Sequence, residues 1–460
     1  MNKNFRLKIE KLALGGQGLG FAEGKAVFVP YAFPGDEIEA SLLRERKDVA
    51  FARVSKYLAR GEGVISSPCA SFAAEIPCGG CDWLNLDYPT QLRYKTELVR
   101  ELLQPLAPGL TIPETLGSPR PVQYRNKAFL PVGGDADGLY CGIYARWSHQ
   151  IVRHETCQLH PPLFDQIALR CLEILTKTGV SAYAEKTHSG TLCHIGFRAS
   201  RDLSRVLLIL VTRSGKLPFT RLLAKQLSEE FPQICGIVQN INRERGNVIL
   251  GPEEKVLFGE PFLHDELAGL KFRIHYRSFW QVNGATAELI IQHLKGLLGP
   301  DDAVFDAFAG IGALGLSLAG KVRKILCIEE NPAAVADGEE NIRANGITNA
   351  GFLRAKTEDA LPALLQPVNP ETARKPEAII LDPPRGGVQT QALKAICAAQ
   401  IPKILYLSCS PITLHRDLKI LLGEGNYRLA AIQPFDMFPQ TWHVETLAVL
   451  ELAPSDPLRQ

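Results

Sequence analysis

The sequence lacks any long apolar segment. No stretch of its 460 residues approaches the roughly 18 uninterrupted apolar residues that a membrane helix needs, and the first residues contain no signal-peptide core. Internal repeats and low-complexity tracts are also absent, and 51 Lys and Arg nearly balance 49 Asp and Glu. We therefore expect a cytoplasmic, monomeric protein with no membrane partner. The overall charge gives no sign of a polyanion partner.

Disulfides are not expected in the reducing cytoplasm, although the chain has 11 cysteines. Burial, metal binding or catalysis explains those cysteines better. The length predicts roughly two to four domains. An apolar content of 46% is enough for more than one core, and a charged content of 22% argues against wholesale disorder.

The N-terminal residues alternate short β-type runs with glycine and proline turns, which predicts a small closed β-barrel. An ordinary sheet without a ligand is the alternative. Residues 1–60 hold 11 Lys and Arg against 7 Asp and Glu, an excess that fits either RNA contact or a solvated face. The predicted strands are residues 5–9, 19–21, 26–29, 37–43 and 51–56.

Beyond residue 266 the pattern changes to strand–turn–helix alternation, whereas residues 120–265 mix strands and helices. Short apolar runs at 304–308, 325–328, 378–381 and 404–407 each precede a turn rich in Gly, Pro or polar residues. This alternation predicts a parallel, doubly wound sheet with ligands at the carboxyl ends of its strands. Helical periodicity at 94–103 predicts one helix outside this region.

A glycine-containing loop follows the first of these strands, in the order Asp306-Ala-Phe-Ala-Gly310-Ile-Gly312. Glycines let the backbone approach a ligand, and Glu329, near the end of the next strand, can bind ribose hydroxyls. A dinucleotide site is the competing interpretation. The strand-end aspartate and the later Asp382-Pro-Pro motif favour a methyl-donor site.

Two further positions carry reactive groups. Cys409 follows the fourth apolar run, and Glu445 lies in the C-terminal His443-Val-Glu445-Thr segment. A buried structural thiol and a surface strand charge are the alternatives. A thiol and a carboxylate together suit methylation at uracil C5, where a thiolate adds to C6 and a base later removes the C5 proton. The arginine after Asp382-Pro-Pro argues against methylation of an exocyclic amine.

Five ordered motifs resemble the RNA uracil-C5 methyltransferase family, most closely its TRAM-domain branch that modifies 23S ribosomal RNA. The resemblance implies an α/β protein whose C-terminal doubly wound, Rossmann-like methyltransferase domain comprises residues 91–119 and 266–460. It also implies a TRAM/OB-like RNA-binding barrel at 1–58 and a central α+β cysteine-cluster domain at 59–90 and 120–265. The motifs are Ser278-Phe-Trp-Gln281-Val-Asn283, residues 306–312, Asp382-Pro-Pro-Arg385, Leu407-Ser-Cys409-Ser-Pro411 and His443-Val-Glu445-Thr446.

The resemblance assigns Cys409 as the nucleophile and Glu445 as the base that removes the C5 proton. It implies that Phe279 packs near the target base, as a flipped or single-stranded nucleotide requires. Contacts to S-adenosylmethionine fall to Gln281, Phe308, Glu329 and Asp382. The sequence departs from the family at Ala313 and at Lys356.

The resemblance also implies that Cys69, Cys78, Cys81 and Cys157 bind a [4Fe–4S] cluster. Four cysteines suit such a cluster, and they suit zinc as well. Eight residues separate Cys69 from Cys78, more than is usual in the family, which leaves Cys141 as a possible substitute ligand. Three other functions stay open: a tRNA uridine-C5 methyltransferase, an RNA-binding assembly factor and an iron–sulfur redox enzyme.

Overall fold

The chain begins with a six-stranded sheet in the computed structural model, which describes residues 3–365 and 375–453. The sheet order is β1-β5-β6-β4-β3-β2, and only Ile9 and Glu10 separate its two outer strands along the chain. Ile9 N donates to Asp36 O and Glu10 N donates to Leu19 O, so the sheet closes into a small barrel. All five predicted strands are confirmed, except that Ile9 lies after its strand. The six strands are β1 (Asn4–Lys8), β2 (Lys11–Leu12), β3 (Gly18–Ala22), β4 (Lys25–Val29), β5 (Glu37–Glu45) and β6 (Val49–Ala59).

A helix, α1 (Tyr88–Leu103), and a 3₁₀ turn (Gln104–Leu106) come next. The predicted helix at 94–103 begins earlier because the Asp87 side chain caps it, accepting from Thr90 N at 2.8 Å. Tyr94 and Leu98 bury their side chains in one apolar cluster with Leu12, Phe33 and Trp83. This cluster anchors α1 to Leu12 of β2 and to Phe33, which follows β4.

The middle of the chain forms a seven-stranded sheet of order β13-β12-β11-β10-β7-β8-β9. Only β11 and β12 pair in parallel. Helices α2 and α3 pack apolar side chains against this sheet, with Phe164 stacked on Phe197 at 4.8 Å. The elements are β7 (Lys127–Asp135), β8 (Gly138–Tyr144), β9 (Ile151–Arg153), α2 (Pro162–Lys177), β10 (Leu192–Ala199), β11 (Val206–Thr212), α3 (Thr220–Glu230), β12 (Ile234–Ile241) and β13 (Glu253–Gly259).

A hairpin and a helix, β14 (Phe262–Leu267), β15 (Leu270–His275) and α4 (Gly284–Leu297), lead into four parallel strands of order β18-β17-β16-β19. From β16 the chain builds β17 and β18 on one side of the sheet and then β19 on the other side. In sheets of this kind the ligand crevice lies at such a reversal, at the carboxyl ends of the strands. The remaining elements are β16 (Ala303–Ala307), α5 (Ala313–Ser317), β17 (Lys324–Glu329), α6 (Pro332–Ala344), β18 (Ala350–Arg354), α7 (Thr357–Leu364) and β19 (Ala378–Leu381).

The C-terminal residues add two helices and three strands. Strand β22 pairs antiparallel with both β20 and β21. The four strands predicted beyond residue 266 correspond to β16, β17, β19 and β20 and are confirmed, except that Phe308 lies after its strand. The elements are α8 (Thr390–Ala399), β20 (Lys403–Ser408), α9 (Pro411–Glu424), β21 (Tyr427–Phe435) and β22 (Glu445–Leu452).

Two compact units divide the chain. The first comprises Met1–Ala73, Gly80–Pro121 and Pro383–Gln460, and the second comprises Ala74–Gly79 and Val122–Asp382. Among the described residues, no helix is long and apolar enough to cross a membrane. The three functional domains inferred from the sequence stay a prediction.

Candidate active site

The loop after β16 is held in place by two carboxylates. Asp306 is almost fully buried, and its Oδ2 accepts from Gly315 N at 2.8 Å. Glu329, at the end of β17, accepts from Gly310 N at 2.9 Å and from Asn331 N at 2.8 Å. Gly310 adopts a φ of 58°, which glycine allows without a Cβ clash. The predicted ribose ligand Glu329 therefore also shapes the glycine loop.

Phe308 occupies a strained position in the same loop. Its φ of 65° is uncommon for a residue with a side chain, and its N–H donates to Thr357 Oγ1 at 3.2 Å. Thr357 follows Lys356, where the sequence departs from the family pattern. No sequence motif had indicated that Thr357 contacts this loop, and the departure at Lys356 was the only nearby feature of the sequence.

Asp382 and Gln281 meet at the end of β19. Gln281 Nε2 donates to Asp382 Oδ2 at 3.4 Å, and Gln281 O accepts from Asn126 Nδ2 at 2.9 Å. Ala307 pairs with Leu381 at the carboxyl ends of β16 and β19, so Phe308 and Asp382 are the first residues after two adjacent parallel strands. The structure thus brings together three of the four predicted cofactor contacts around one pair of strand ends.

Two acidic side chains at these strand ends are unusually hard to ionise. Burial raises the pKa of Asp306 to about 7 and outweighs the Gly315 hydrogen bond, which lowers it, while the charge of Glu329 adds a smaller increase. Burial, then the neighbouring Asp306, raises the pKa of Asp382 to about 7. A cation placed between these groups would favour their charged forms. The crevice is therefore suited to a positively charged ligand.

Phe279 is 63% exposed between two anchored neighbours. Ser278 Oγ donates to Asp337 Oδ2 at 3.0 Å, and buried Trp280 donates from Nε1 to Asp265 Oδ2 at 3.2 Å. Exposure of a large aromatic side chain on such a fixed segment suits stacking on a planar ligand.

In the first unit, Cys409 and Glu445 lie at the ends of paired strands. Ser408, the last residue of β20, pairs with Thr446 of β22. Cys409 directly follows β20 and Glu445 is the first residue of β22, so the two residues lie at the same end of this antiparallel strand pair. Cys409 is half-buried and Glu445 is buried. Cys409 also directly precedes Ser410, the N-cap of α9, and a helix N-terminus stabilises nearby negative charge.

Hydrogen bonds order the segment before Glu445. Buried Lys95 on α1 donates to Asp436 Oδ1 at 2.5 Å and to Phe438 O at 3.0 Å. Burial lowers the pKa of Lys95 more than Asp436 raises it. Arg385 lies 3.3 Å from His443 Nε2, which connects the Asp-Pro-Pro-Arg motif to the Glu445 segment. The sequence had not indicated the contact made by Lys95 or the one made by Arg385.

Among the predicted metal ligands, Cys69 and Cys81 belong to the first unit and Cys78 and Cys157 to the second. Cys78 forms a β-bridge with Ala145. Cys157 N donates to Asp165 Oδ2 at 3.1 Å. Burial alone would raise the pKa of Cys157, but the hydrogen bond and charge of His160 lower it to about 7.

Cys141, the possible substitute ligand, is buried in the apolar core of the seven-stranded sheet. Burial, with a smaller effect of Asp165, raises the pKa of this thiol to about 12. The environment of Cys141 is that of a structural thiol.

The parallel sheet, the loop at residues 306–312 and Glu329 at the end of the next strand are the features of a methyltransferase of the α/β class. The family model for tRNA (uracil-5-)-methyltransferases matches residues 197–452. Together with relatives that match it over nearly its full length, this shows that the chain belongs to the tRNA (uracil-5-)-methyltransferase family.

The relatives are RNA methyltransferases. One from Halalkalibacterium halodurans is 34% identical and one from Listeria innocua 35% identical, each with 98% of both chains aligned. A crystal structure of the Pyrococcus abyssi tRNA (uracil-54, C5)-methyltransferase in complex with S-adenosyl-L-homocysteine aligns with a TM-score of 0.76. That alignment covers 97% of this chain and 100% of the other, at 25% identity. The predicted family and α/β fold class are thereby confirmed, and the chain is an RNA methyltransferase.

Proposed function

We propose that this protein transfers a methyl group from S-adenosylmethionine to C5 of a uridine in RNA, with Cys409 as nucleophile and Glu445 as base. The observation that carries the proposal is the strand register, with Ser408 opposite Thr446, which puts Cys409 and Glu445 at the same end of one strand pair in a member of a uracil-5-methyltransferase family. A thiol beside a carboxylate is the pair that this reaction requires.

The two residues divide the reaction between them. Cys409 Sγ, as thiolate, forms a bond to uracil C6, and the electron pair of the C5–C6 double bond becomes available at C5. C5 then takes the methyl group and still holds its own hydrogen. Glu445 removes that proton, the double bond re-forms, and the Cys409 Sγ–C6 bond breaks to release 5-methyluridine. S-adenosylmethionine supplies the methyl group when bound and leaves as S-adenosylhomocysteine.

The crevice at the carboxyl ends of β16, β17 and β19 fits the methyl donor. S-adenosylmethionine carries a positive sulfonium. This charge would favour the ionised forms of the Asp306 and Asp382 carboxyl groups, which burial disfavours in the free protein. We assign Glu329 to the ribose hydroxyls and Phe308 to an apolar contact. Gln281 holds Asp382 in place and contacts the donor.

RNA recognition is assigned to three parts of the chain, with 23S ribosomal RNA as the proposed substrate. The N-terminal barrel has the excess of basic residues, the proposed central domain at 59–90 and 120–265 holds the four proposed cluster cysteines, and exposed Phe279 stacks near the target base. The alternative substrate is a tRNA uridine, because the Pyrococcus abyssi protein is a tRNA (uracil-54, C5)-methyltransferase. Mapping 5-methyluridine in ribosomal and transfer RNA, with and without the gene, separates these two substrates.

A [4Fe–4S] cluster bound by Cys69, Cys78, Cys81 and Cys157 completes the proposal. Cysteine thiolates are the ligands that such clusters require, and partly exposed Cys157 is a better candidate than core-buried Cys141. The cluster would hold the loops that carry these cysteines.

The central experiment compares Cys409→Ala with Glu445→Gln. The Cys409 variant should form no covalent complex with RNA, because the first bond cannot form. The Glu445 variant should add and methylate, then stall before elimination. A denaturing gel would show a protein–RNA species that depends on S-adenosylmethionine and carries its methyl label.

Cys397→Ala serves as the matched control, because Cys397 is a buried thiol of the same unit that has no proposed role. It should methylate RNA at the normal rate. Normal turnover by Cys409→Ala would refute the covalent mechanism, and normal turnover by Glu445→Gln would remove that residue from it.

A further inference from the structure

A cavity of about 510 Å³ opens on the seven-stranded sheet of the second unit. Its rim is the turn between β8 and β9, and it holds none of the residues assigned to catalysis or donor binding. Cavities of this size commonly bind small planar ligands or parts of larger ones. The residues that define its chemistry are Phe129, Tyr144, Arg146, Trp147, His149 and His194.

Trp147 is the most exposed of these aromatic side chains. Its exposed fraction is 73%, and its φ of 56° is a strained value for a residue with a side chain. Because this indole is exposed to water, its burial does not contribute to the stability of the fold. The Arg146 guanidinium lies 5.3 Å from the centroid of the Trp147 ring. A flat aromatic surface and a cation therefore stand together at the rim.

The turn that carries Trp147 is fixed at both ends. Ala145 N donates to Gln150 O at 2.8 Å, and Ser148 N donates to Ala145 O at 3.1 Å. Gly79 N donates to Tyr144 O at 3.0 Å, and a Cβ on Gly79 would lie 2.6 Å from that oxygen. The backbone of the Cys78–Gly79 segment thus supports the turn closely, which only glycine permits.

The floor of the cavity combines a flat apolar surface with one buried polar atom. The Phe129 ring lies over Gly196, where a Cβ would come within 2.4 Å of it. His194 Nδ1 is buried and has no hydrogen-bond partner among the described residues. A register shift between Leu192 and His194 interrupts the pairing of β10 with β11 next to this residue. A buried polar atom of this kind requires a partner, and a ligand can provide it.

The side wall is aromatic. Tyr144 and His149 stack with centroids 5.3 Å apart and rings inclined by 26°, and His149 is held by Glu185 at 2.6 Å. Burial lowers the pKa of His194 to about 4, so its imidazole is neutral at pH 7. A neutral imidazole can either donate to or accept from the edge of an uncharged ring.

We propose that this cavity binds an unpaired base of the RNA substrate, distinct from the methylated uridine, with Trp147 stacking on the base and Arg146 contacting a phosphate. Aromatic surfaces with nearby arginine are how proteins hold single-stranded RNA, and the chain is an RNA methyltransferase. His194 Nδ1 would bond the base edge. The inference rests on the proposed action on RNA and extends it to substrate selection.

Fluorescence tests the proposal without reference to activity. Trp83 and Trp280 are buried and Trp442 is partly buried, so Trp147 dominates the exposed indole signal of the four tryptophans. Titration of the full-length protein with an unstructured oligoribonucleotide should quench this emission. Trp147→Phe should bind the same RNA nearly as tightly, because phenylalanine still stacks, but should lose most of the quenching.

Affinity provides the second measurement. Trp147→Ala should bind RNA roughly 5- to 150-fold more weakly, the effect of losing one stacked base. S-adenosylhomocysteine affinity should not change. Phe219→Ala is the matched control, because Phe219 is 61% exposed with a φ of 56° in the same unit and does not line the cavity. It should bind RNA like the unmodified protein.

Two outcomes would refute the proposed binding of an RNA base in this cavity. Quenching that persists in Trp147→Phe would locate the signal elsewhere, and equal RNA affinity for Trp147→Ala and Phe219→Ala would remove the stacking role. In either case the unmodified protein would still form 5-methyluridine. Failure of the unmodified protein to form 5-methyluridine would instead refute the proposed function, whatever the quenching experiment showed.

Discussion

Replacing Asp306 by Asn should stabilise the protein in a pH-dependent way. Asp306 is 1% exposed, and burial raises its pKa to about 7. In an unfolded chain the pKa of aspartate is about 3.9, so between about pH 4 and 7 the unfolded state binds fewer protons than the folded state. The stability that Asp306 contributes is therefore complete below pH 4 and is lost as the pH rises towards 7.

The magnitude follows from the difference in pKa. Each unit corresponds to about 1.4 kcal/mol, so the full loss is about 4 kcal/mol, of which about 2–3 kcal/mol falls between pH 5 and pH 8. The amide introduced by Asp306→Asn cannot ionise, yet its oxygen can still accept from Gly315 N, the bond that Asp306 Oδ2 accepts at 2.8 Å. The stability of Asp306→Asn relative to the unmodified protein should thus increase by about 2–3 kcal/mol over this pH range.

Urea unfolding of both proteins at pH 5 and pH 8 measures this difference, and the comparison cancels the pH effects that they share. Asp137→Asn is the control, because Asp137 is exposed and should show no such change. At pH 8 the Asp306→Asn protein should also lose S-adenosylmethionine affinity more than S-adenosylhomocysteine affinity, since only the first ligand carries a sulfonium charge. A stability difference independent of pH would show that Asp306 is not held neutral in the fold.

Two further predictions concern the cysteines and the N-terminal barrel. Anaerobically purified protein should contain about four irons per chain, and Cys157→Ser should lose iron while Cys141→Ser retains it; stoichiometric zinc without iron would exclude the cluster. Arg44 and Lys47 are exposed on the barrel, and neutralising both should weaken RNA binding. The slope of log affinity against log salt concentration should become smaller by about 0.7–0.9 for each RNA phosphate that is no longer neutralised. Lys225→Gln is the control, because Lys225 is exposed outside the barrel and its loss should change neither quantity. Unchanged RNA affinity at several salt concentrations would argue against a role for the barrel.

Charge neutralisation is a better test of the barrel than removal of residues 1–58. Leu12 and Phe33 pack in one apolar cluster with Trp83, Tyr94 and Leu98. Deleting the barrel would expose that cluster, so a decrease in RNA binding could not be separated from a decrease in stability.

Local pattern predicted the elements of this protein well. The apolar runs at 325–328, 378–381 and 404–407 are strands, and the alternation beyond residue 266 correctly indicated a parallel sheet. The reason is that burial on both faces of a strand leaves a continuous apolar run in the sequence. The ordered motifs were enough to indicate the family, because they combine residue type with chain order.

Tertiary structure decided which of these residues meet. Cys409 and Glu445 come to the same end of one strand pair only because β22 lies antiparallel to β20 with Ser408 opposite Thr446. Lys95 reaches Asp436 across 341 residues of sequence, and no periodicity encodes such a contact. Hydrophobic pattern reports which face of an element is buried, but not which partner covers it. Strand register and loop closure therefore had to come from the fold, as did the contact of Thr357 with Phe308 and the cavity around Trp147.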